Sequence, residues 1–519
     1  MNSSPPPPDY DVVVIGGALA GASTAFLLKQ KVPDLRVLVL DRSQKFGRKV
    51  GEATVEVSAY FLCRVLGLTS HLNEYHIAKQ GLRFWFTNDL CKSLEDCSEM
   101  GSKYLVRLPS YQVDRAVLDE EVLARAHRAG AAVLRGAVVH QIDLSPGGVQ
   151  TVHYKHSDQQ CLVRSRWVVD ASGVAAILAR QEGWLKPNRE HPTTSVWSRW
   201  KLVQDWDGLD LAKKFPAWSR SCFGIRGTAT NHFFGYGWWA WCIPLKGGDV
   251  SIGVVFDQRI VQWPEGGTLG QRLKEFLMQH PAAAEIMRNA TWVEGDVHWR
   301  KNLPYSSNVQ AGDGFALVGD AAGFIDPFYS PGMDWISYTV AATVELIEQS
   351  RMADSDPAML AARHNDIFLK SYDRWFRGLY QDKYYYFGDF ELLKIGFLLD
   401  LGLYYMGVAR QPYLRGWKAL LEPVFSTPPS RPFYCFMRFY NRRLSVIGKN
   451  RFERGEFGRM NYQNRFFFGG YIFSGWSVRH ILKATLSWLC LELKEGWRTW
   501  GTKKAEGASS ISPVQEPVS

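Results

Sequence analysis

The stretch DVVVIGGALAGASTAFLLK, residues 11–29, organises the rest of the chain. Its apolar residues 12–15 predict a short buried strand, and residues 20–28 predict a helix. Between them the small residues of the turn let the backbone approach a pyrophosphate beside the helix N terminus; they are Gly16, Gly17, Ala18 and Gly21. The order strand, glycine turn, helix therefore predicts a dinucleotide-binding turn, with an ordinary strand-turn-helix as the alternative.

Three predicted strands end in an acidic residue. Residues 36–40 predict the second strand, and Asp41 at its end is placed to hold ribose hydroxyls. Residues 166–169 and 315–318 predict two more buried strands, followed by small turns that contain Asp170 and Asp320. Asp320 can accept hydrogen bonds from ribityl hydroxyls, although a helix N-cap is a common role for such a residue. The nucleotide site is therefore predicted to be assembled from three separate parts of the chain.

These three parts resemble the FAD-dependent monooxygenase superfamily and its glutathione-reductase-type FAD-binding fold. The resemblance implies an α/β chain with an inserted antiparallel sheet substrate domain and a mainly helical C-terminal region. Alternating aromatic residues between 196 and 255 agree with such a sheet. We expect an FAD-binding domain at 10–70, 106–185 and 296–350, a substrate domain at 71–105 and 186–295, and a helical, aromatic-rich, basic region at 351–503. Residues 1–9 and 504–519 are expected to be disordered.

Positive charge is concentrated in one part of the chain. The 519 residues carry a net charge of +10, yet residues 431–504 alone hold 15 Lys and Arg against 4 Asp and Glu. A solvated face is one explanation, and an acidic partner, either an anionic membrane surface or an acidic carrier protein, is the other. No recognition motif accompanies the charge, so nucleic acid is not expected as a partner.

Cysteine usage and the apolar stretches bear on the compartment. The 8 cysteines form no C-x-x-C pair and have no metal-ligand spacing, which favours a reduced, cytoplasmic chain without a metal site. The start of the sequence has no basic region followed by an apolar run, so no signal peptide is expected. The most apolar later stretches, 395–408 and 481–493, are interrupted by Asp400 and Lys483 and are shorter than a membrane span requires. No transmembrane helix is expected.

A second motif, WAWCIP at residues 239–244, places Trp239 and Trp241 on one face of a strand, where they form a wall. Two core tryptophans in a sheet are the alternative. The motif matches the W-x-W-x-I-P signature of flavin-dependent halogenases. Residues 51–54, GEAT, look like a segment of the tryptophan halogenase group, and Lys79 is placed like the family's catalytic lysine; an exposed surface lysine is the alternative. The chain is therefore similar to flavin-dependent halogenases of the tryptophan-halogenase-like family.

The resemblance implies a mechanism. Reduced FAD, supplied by a separate flavin reductase, would react with O2 and a halide ion to form hypohalous acid at the flavin. The wall of Trp239 and Trp241 would keep the organic substrate away from the flavin. Lys79 would then hold the oxidant against an electron-rich aromatic of the phenol, pyrrole or indole type, either free or tethered to a carrier protein.

The resemblance also implies which residues contact the cofactor and the halide. Those implied for the cofactor are Gly16, Gly17, Ala18, Gly21, Asp41, Arg42, Lys49, Glu52, Ala53, Arg115, Asp320, Pro327, Gly332 and Met333. Those implied for the halide are Ser330 and Gly332.

The chain departs from the family's pattern of catalytic and halide-binding residues in the segment that follows the Gly319-Asp320 turn. The three residues concerned are Tyr329, Pro331 and Asp334. Tyr329 stands where tryptophan halogenases have a glutamate that assists the lysine. Halogenases of phenols and of carrier-bound pyrroles also have an aromatic there, so indole is the less expected substrate. Pro331 stands where the family holds halide on a backbone N–H, and proline has no N–H to donate. Asp334 would repel halide if it were ionised and pointed inward, or would cap a helix if it faced away.

An alternative function therefore keeps the fold and FAD without halogenation. The chain would then be a non-halogenating FAD-dependent monooxygenase, or an oxidoreductase of the geranylgeranyl-reductase kind that reaches lipid through its basic C-terminal region. A third possibility makes that region chiefly an interaction module for a membrane or a carrier protein.

Overall fold

The computed structural model describes residues 7–106, 108–469 and 475–500. These residues form an α/β fold with two large sheets and a helical C-terminal region, as the sequence predicts. The tail predicted to be disordered at 504–519, and residues 1–6 of the predicted lead-in, lie outside the described residues.

The first large sheet has eight strands, and the stretch that opens the sequence forms its centre. Residues 12–15 are buried because parallel strands flank them on both sides and helices cover the sheet. The parallel strands, in spatial order, are Phe315–Leu317, Gln159–Asp170, Tyr10–Ile15, Val37–Asp41 and Ala132–Arg135. The antiparallel strands of this sheet are Val138–Asp143, Gln150–His156 and Ala311–Gly312.

The second large sheet has nine strands and separates two hydrophobic cores. Trp239 and Trp241 face the core shared with the first sheet, whereas Ala240 and Cys242 face the other core. Eight strands, in spatial order, are Thr291–Trp292, Thr193–Lys201, Val250–Asp257, Trp238–Pro244, Thr230–Gly235, Leu82–Phe86, Ser98–Ser102 and Arg465–Phe468; the ninth, His298–Arg300, also pairs with Thr193–Lys201.

Two small sheets and the helices complete the described fold. The small sheets join Leu185–Pro187 to Tyr305–Ser307 and Gly323–Phe324, and Ile77–Ala78 to Tyr111–Gln112. Helices in the first 350 residues are Leu19–Lys31, Glu56–Tyr60, Phe61–Val65, Thr69–Tyr75, Leu94–Asp96, Arg115–Arg128, Gly173–Ala175, Ile177–Gln181, Leu209–Lys214, Pro216–Arg220, Leu269–Met278, Pro281–Ile286, Gly319–Ala321 and Gly332–Gln349. Later helices are Pro357–Trp375, Phe376–Tyr380, Lys383–Tyr385, Phe390–Tyr404, Tyr405–Ala409, Arg410–Arg415, Trp417–Leu420, Pro428–Ser430, Arg431–Glu453, Gly475–Lys494 and Gly496–Thr499.

The C-terminal region contains a strand that the sequence did not predict. Arg465–Phe468 pairs in parallel with Ser98–Ser102 at the edge of the second sheet. Its sequence, RFFF, has no polar-apolar alternation, and its partner lies more than 360 residues earlier, so no local pattern marks it as a strand.

Within the described residues, one helical run, Phe390–Arg415, is long and apolar enough to cross a membrane, with a mean hydropathy of 1.5. The run extends beyond the stretch 395–408 that the sequence marked as too short. However, 67% of its apolar window is buried inside the protein, and a buried core helix passes the same test.

Candidate functional site

The predicted dinucleotide turn lies at the carboxyl edge of the parallel sheet. Gly16 has a φ of +97°, and a Cβ there would lie 2.4 Å from the Ala171 carbonyl oxygen. A Cβ on Gly21 would lie 1.8 Å from the Gly16 carbonyl oxygen. Gly17 donates its N–H to the Asp41 carboxylate at 2.6 Å, so the residue predicted to hold the ribose also fixes the turn. With no room for side chains, the backbone is left open at the place where a pyrophosphate would approach.

Beside the turn, predicted cofactor residues meet at Asp119, a buried carboxylate that the sequence did not single out. Asp119 accepts hydrogen bonds from the Leu19 N–H and from Arg115 Nε, each at 3.2 Å, and pairs with Lys49. Burial raises the pKa of Asp320, while the positive charges of Arg115 and Lys49 act in the opposite direction. Lys49 and Arg115 can donate to a pyrophosphate beside the open glycine turn, and Asp320 can accept from ribityl hydroxyls, so these residues fit FAD.

The Glu52 carboxylate pairs with a different cation, Arg199. This carboxylate accepts from Arg199 Nη2 at 2.8 Å, and Arg199 also donates to Asp114, which ties the GEAT segment to the second sheet. Burial raises the pKa of Glu52 to about 7. Among the other predicted cofactor residues, Ala53 and Met333 are buried, Pro327 and Gly332 are partly exposed, and Arg42 is exposed.

Trp239 and Trp241 form the predicted pair on one face of the strand Trp238–Pro244, with ring centroids 6.0 Å apart. Trp241 Nε1 donates to Ser251 Oγ at 3.1 Å. Trp239 Nε1 donates to Tyr384 Oη at 2.9 Å, and Tyr384 donates to Asp326 at 2.9 Å. The wall is therefore hydrogen-bonded to the loop that carries Pro327 and Ser330.

Lys79 is buried, with 2% of its surface exposed, although a surface position was the alternative from sequence. Nζ donates to the Thr54 carbonyl at 2.9 Å, which is its one hydrogen bond within the described part of the chain. Burial lowers the pKa of Lys79 to about 8, against the opposing charges of Glu56 and Asp334. The remaining N–H donors of Nζ are left for a group in the cavity that Lys79 lines.

That cavity has a volume of about 640 Å³ and is lined chiefly by apolar and aromatic side chains. It brings together Lys79, Tyr329, Pro331 and Asp334, which the sequence singled out, with Glu56, which it did not. Neither Trp239 nor Trp241 lines it. Instead Phe328 packs against Trp239, with ring centroids 5.2 Å apart, and against Tyr329, at 4.0 Å.

Asp334 points inward, the first of the two positions considered from sequence alone. It is buried in the first turn of its own helix, lines the cavity, and accepts the Ser58 backbone N–H at 2.9 Å. Burial raises the pKa of Asp334 to about 7, despite the hydrogen bonds from Ser58 and the charge of Lys79. A lysine with a lowered pKa and an acid with a raised pKa thus line one cavity, and perturbed pKa values of this kind mark candidate functional sites.

The predicted halide loop is strained and poor in donors. Tyr329 and Ser330 have φ values of +66° and +57°, a conformation that costs non-glycine residues of order 1–3 kcal/mol each. The Ser330 N–H donates to the Pro327 carbonyl at 3.0 Å, and Pro331 has no N–H. The helix Gly332–Gln349 begins next, so the N–H groups of its first turn are the donors left for an anion.

His232 is a further residue of this region that the sequence did not single out. Its ring lies 5.6 Å from Trp239, and burial with the charge of Lys79 lowers its pKa to about 3. It therefore stays neutral. Its position in an aromatic, alternating strand resembles that of any core residue, so only the pairing of strands Leu82–Phe86 and Thr230–Gly235 brings it to Lys79.

Solved structures share this fold. The crystal structure of halogenase PltM has a TM-score of 0.70 with 21% sequence identity, and the match covers 92% of this chain and 96% of that one. A structure of PltM in complex with phloroglucinol and FAD has a TM-score of 0.70 with 20% identity, over 92% and 96% of the two chains.

Sequence relatives give a consistent picture. The flavin-dependent halogenase chlA of Dictyostelium discoideum is 27% identical over 375 residues, which are 65% of this chain and 60% of that protein. A 1H-pyrrole-2-carbonyl-peptidyl-carrier-protein chlorinase of Pseudomonas fluorescens is 26% identical over 388 residues, 71% of this chain and 79% of that protein. The chain thus spans about three fifths of the length of the chlA protein. The family described as tryptophan halogenase matches residues 90–384, more than half of the 519 residues, and the chain belongs to that family.

Proposed function

We propose that the chain is a FADH2-dependent halogenase in which Lys79 directs hypohalous acid onto an electron-rich aromatic ring. The observation that carries this proposal is the burial of Lys79 in the wall of a mostly apolar, aromatic-lined cavity, with N–H donors to spare. A lysine in contact with a ligand cavity and with a pKa of about 8 can act as an ammonium donor or as a neutral amine near neutral pH.

The cofactor is FAD, delivered in its reduced form by a separate flavin reductase. When bound, it supplies the two electrons with which O2 and halide become hypohalous acid and water. The residues that would hold it are the open turn of Gly16 and Gly21, with Lys49, Arg115 and Asp320 beside it. The N-terminal N–H groups of the helix Gly332–Gln349 would hold the halide.

The other side chains of the site keep the organic substrate away from the cofactor and set the charge state of Lys79. Trp239 and Trp241 fill the space beside Phe328 with indole rings, which supports a role in keeping the organic substrate out of the cofactor space. Asp334 and Glu56 place negative charge near Lys79 and so favour its ammonium form. In this chain they stand in for the glutamate that Tyr329 replaces.

The substrate is a phenol or a pyrrole rather than an indole. Tyr329 supports this choice, since its ring fills the carboxylate position of tryptophan halogenases and its hydroxyl is bound to Asp400 at 3.2 Å. The phloroglucinol of the PltM complex and the carrier-bound pyrrole of the Pseudomonas relative are of these two kinds. A cavity of about 640 Å³ has room for either ring.

The test is product analysis with the full chain. Purified protein is checked for FAD absorbance and supplied with a flavin reductase, NADH, O2 and either chloride or bromide. A panel of phenols, pyrroles and indoles, free and carrier-bound, is then scored by mass spectrometry for halogen isotope patterns. We expect a halogenated phenol or pyrrole. A product that gains one oxygen, or no product with either halide, would contradict the proposal.

Pro331 favours a second candidate function, because it removes a backbone donor from the predicted halide site. The chain would then be a non-halogenating FAD-dependent monooxygenase or a geranylgeranyl-reductase-like oxidoreductase. The same assay separates the two: an oxygenated or a reduced product that does not depend on halide would support the second candidate.

A further inference from the structure

The helix Gly475–Lys494 carries a row of exposed aliphatic side chains that nothing in the site uses. We define the leucine ridge as Val478, Leu482, Leu486, Leu489 and Leu493. All five are between 43% and 72% exposed. At about 100° and about 1.5 Å per residue, they lie within an arc of about 80° and extend for about 22 Å. A continuous exposed apolar row of this length marks an interaction surface.

The opposite face of the same helix packs against the rest of the protein. Ala484, Trp488 and Leu491 are buried. Trp488 packs on Phe439, with ring centroids 5.6 Å apart, and a Cβ on Gly402 would lie 2.3 Å from Ile481. The ridge is therefore an outward, convex surface of a docked helix.

Charge is arranged around the ridge with one sign only. Arg479, Lys483 and Lys494 lie along one side of it, are exposed, and form no ion pair within the described residues. The two acids of this segment point inward: Glu492 pairs with Arg443 at 2.8 Å, and Glu495 pairs with Arg451 at 2.6 Å. Internal ion pairs thus remove the negative charge and leave a basic edge beside the apolar row.

We propose that the leucine ridge and its basic edge dock the protein onto the surface of an anionic lipid bilayer, with the helix lying in the plane of the interface. An apolar face beside lysines and arginines is the composition of interfacial helices. Trp497 and Trp500 follow at the end of the helix and are exposed, as aromatic side chains are at the headgroup level. Charge complementarity selects this occupant, because the exposed Arg479, Lys483 and Lys494 would meet anionic headgroups.

The leucine ridge lies near the cavity, so docking on a membrane would bring the cavity close to substrates dissolved in the lipid. Helices Phe390–Tyr404 and Gly475–Lys494 run antiparallel, because Gly402 meets Ile481 while Glu391 and Glu495 share Arg451. Met406, one turn after Gly402, is exposed, lines the cavity and so lies towards the start of the ridge helix. An apolar aromatic dissolved in lipid would enter there; this last step rests on the proposed function, whereas the docking itself does not.

The test is co-sedimentation of the full chain with vesicles of phosphatidylcholine alone, or with added phosphatidylglycerol, at low and high salt. We expect binding to the anionic vesicles that weakens with salt. Leu482→Ser/Leu486→Ser/Leu489→Ser should weaken binding at least about tenfold at either salt concentration, because less apolar surface is buried. Arg479→Gln/Lys483→Gln/Lys494→Gln should weaken it about a hundredfold at low salt only.

A matched control replaces three exposed leucines elsewhere, as Leu90→Ser/Leu162→Ser/Leu209→Ser, and should bind like the unmodified chain. Equal loss in the control, or no binding to either vesicle, would overturn the proposal. So would a dimer that the leucine triple variant converts to monomer by light scattering, or capture of an acidic carrier protein that competes with vesicles. Halogenation of a water-soluble substrate, which does not need the ridge, separates failure of docking from failure of the proposed function.

Discussion

Lys79 lines the cavity, and Lys383 is a second buried lysine that contacts residues of the cavity wall; the two ammonium groups have very different hydrogen-bond partners. Lys383 is fully buried, forms an ion pair with Asp400, and donates to Asn441 Oδ1 at 3.2 Å. Its Nζ also lies 5.3 Å from the ring of Tyr329, which lines the cavity. Lys79 has a carbonyl oxygen as its hydrogen-bond partner and faces carboxylates only at longer range.

This difference in hydrogen-bond partners distinguishes a lysine that stabilises the fold, Lys383, from one that can react with a ligand, Lys79. Burial lowers the pKa of both lysines, and in Lys383 the direct contact with Asp400 opposes it. The cost of burial is only partly offset at both positions, but Asp400 and Asn441 bind the ammonium of Lys383, whereas that of Lys79 keeps N–H donors for a ligand. We therefore expect substitutions at the two positions to act on different observables.

The largest expected effect is on turnover in Lys79→Met. We expect halogenation to fall about a thousandfold, because a positioned proton donor contributes of this order. Formation of hypohalous acid, followed with a small-molecule halogen trap, should continue. Lys383→Met, where it folds, should retain product formation at a rate within a few-fold of the unmodified chain. Equal loss of turnover in both variants would break the comparison.

The second prediction concerns the free energy of unfolding, which Lys383→Met should lower and Lys79→Met should raise. Lys383→Met leaves Asp400 buried without its partner and should lower the free energy of unfolding by about 3–5 kcal/mol. Lys79→Met removes a lysine whose pKa falls from 10.5 to about 8 on folding. It should raise that free energy by up to about 3 kcal/mol at pH 7.

The pH dependence checks the sign at Lys79. Its folded pKa lies below its unfolded pKa, so the folded state binds fewer protons between pH 8 and 10.5. The unfavourable contribution is full below about pH 8 and disappears as the pH rises through that window. Denaturant unfolding at pH 7 and pH 10.5 should show the gain of Lys79→Met at the lower pH only. If Lys79→Met were still more stable than the unmodified chain at pH 10.5, the added stability would come from better packing of methionine and not from removal of the buried charge.

The third prediction tests Asp334 as a positioning residue for Lys79. Asp334→Asn keeps the acceptor for the Ser58 N–H but removes the negative charge that favours the ammonium. The alkaline limb of the pH–rate profile should move down by about 1 unit. Asp207→Asn is the control, since burial also raises the pKa of Asp207 but this residue does not line the cavity. An unchanged pH–rate profile in Asp334→Asn would show that Asp334 does not influence the protonation of Lys79.

The smallest expected effect is on halide affinity. Pro331→Ala adds a backbone N–H at the start of the helix Gly332–Gln349, and the φ of −74° at this position suits alanine. The KM for chloride should fall about tenfold, the low end of the contribution of one hydrogen bond to a charged group. Pro429→Ala, at another proline that lines the cavity, should leave the KM unchanged. A KM that rises in Pro331→Ala would place the halide elsewhere.

The sequence predicted the parts of the site that depend on local pattern. The glycine turn at Gly16 and the same-face placement of Trp239 and Trp241 follow from strand and turn periodicity, and the structure confirms both. The burial of Lys79 was not predictable from its neighbours in sequence, and only the resemblance pointed to it. Asp119 and Glu56 were missed because each acts through residues distant in sequence: Asp119 through Lys49, and Glu56 through Lys79.

The strand Arg465–Phe468 has a consequence for how the protein is made. It closes the edge of a sheet whose neighbouring strand, Ser98–Ser102, leaves the ribosome more than 360 residues earlier. During synthesis that edge stays open, with unpaired backbone groups that can recruit other strands. A chain interrupted before residue 465 would keep the edge open and aggregate, so the yield of this protein depends on translation continuing past Phe468.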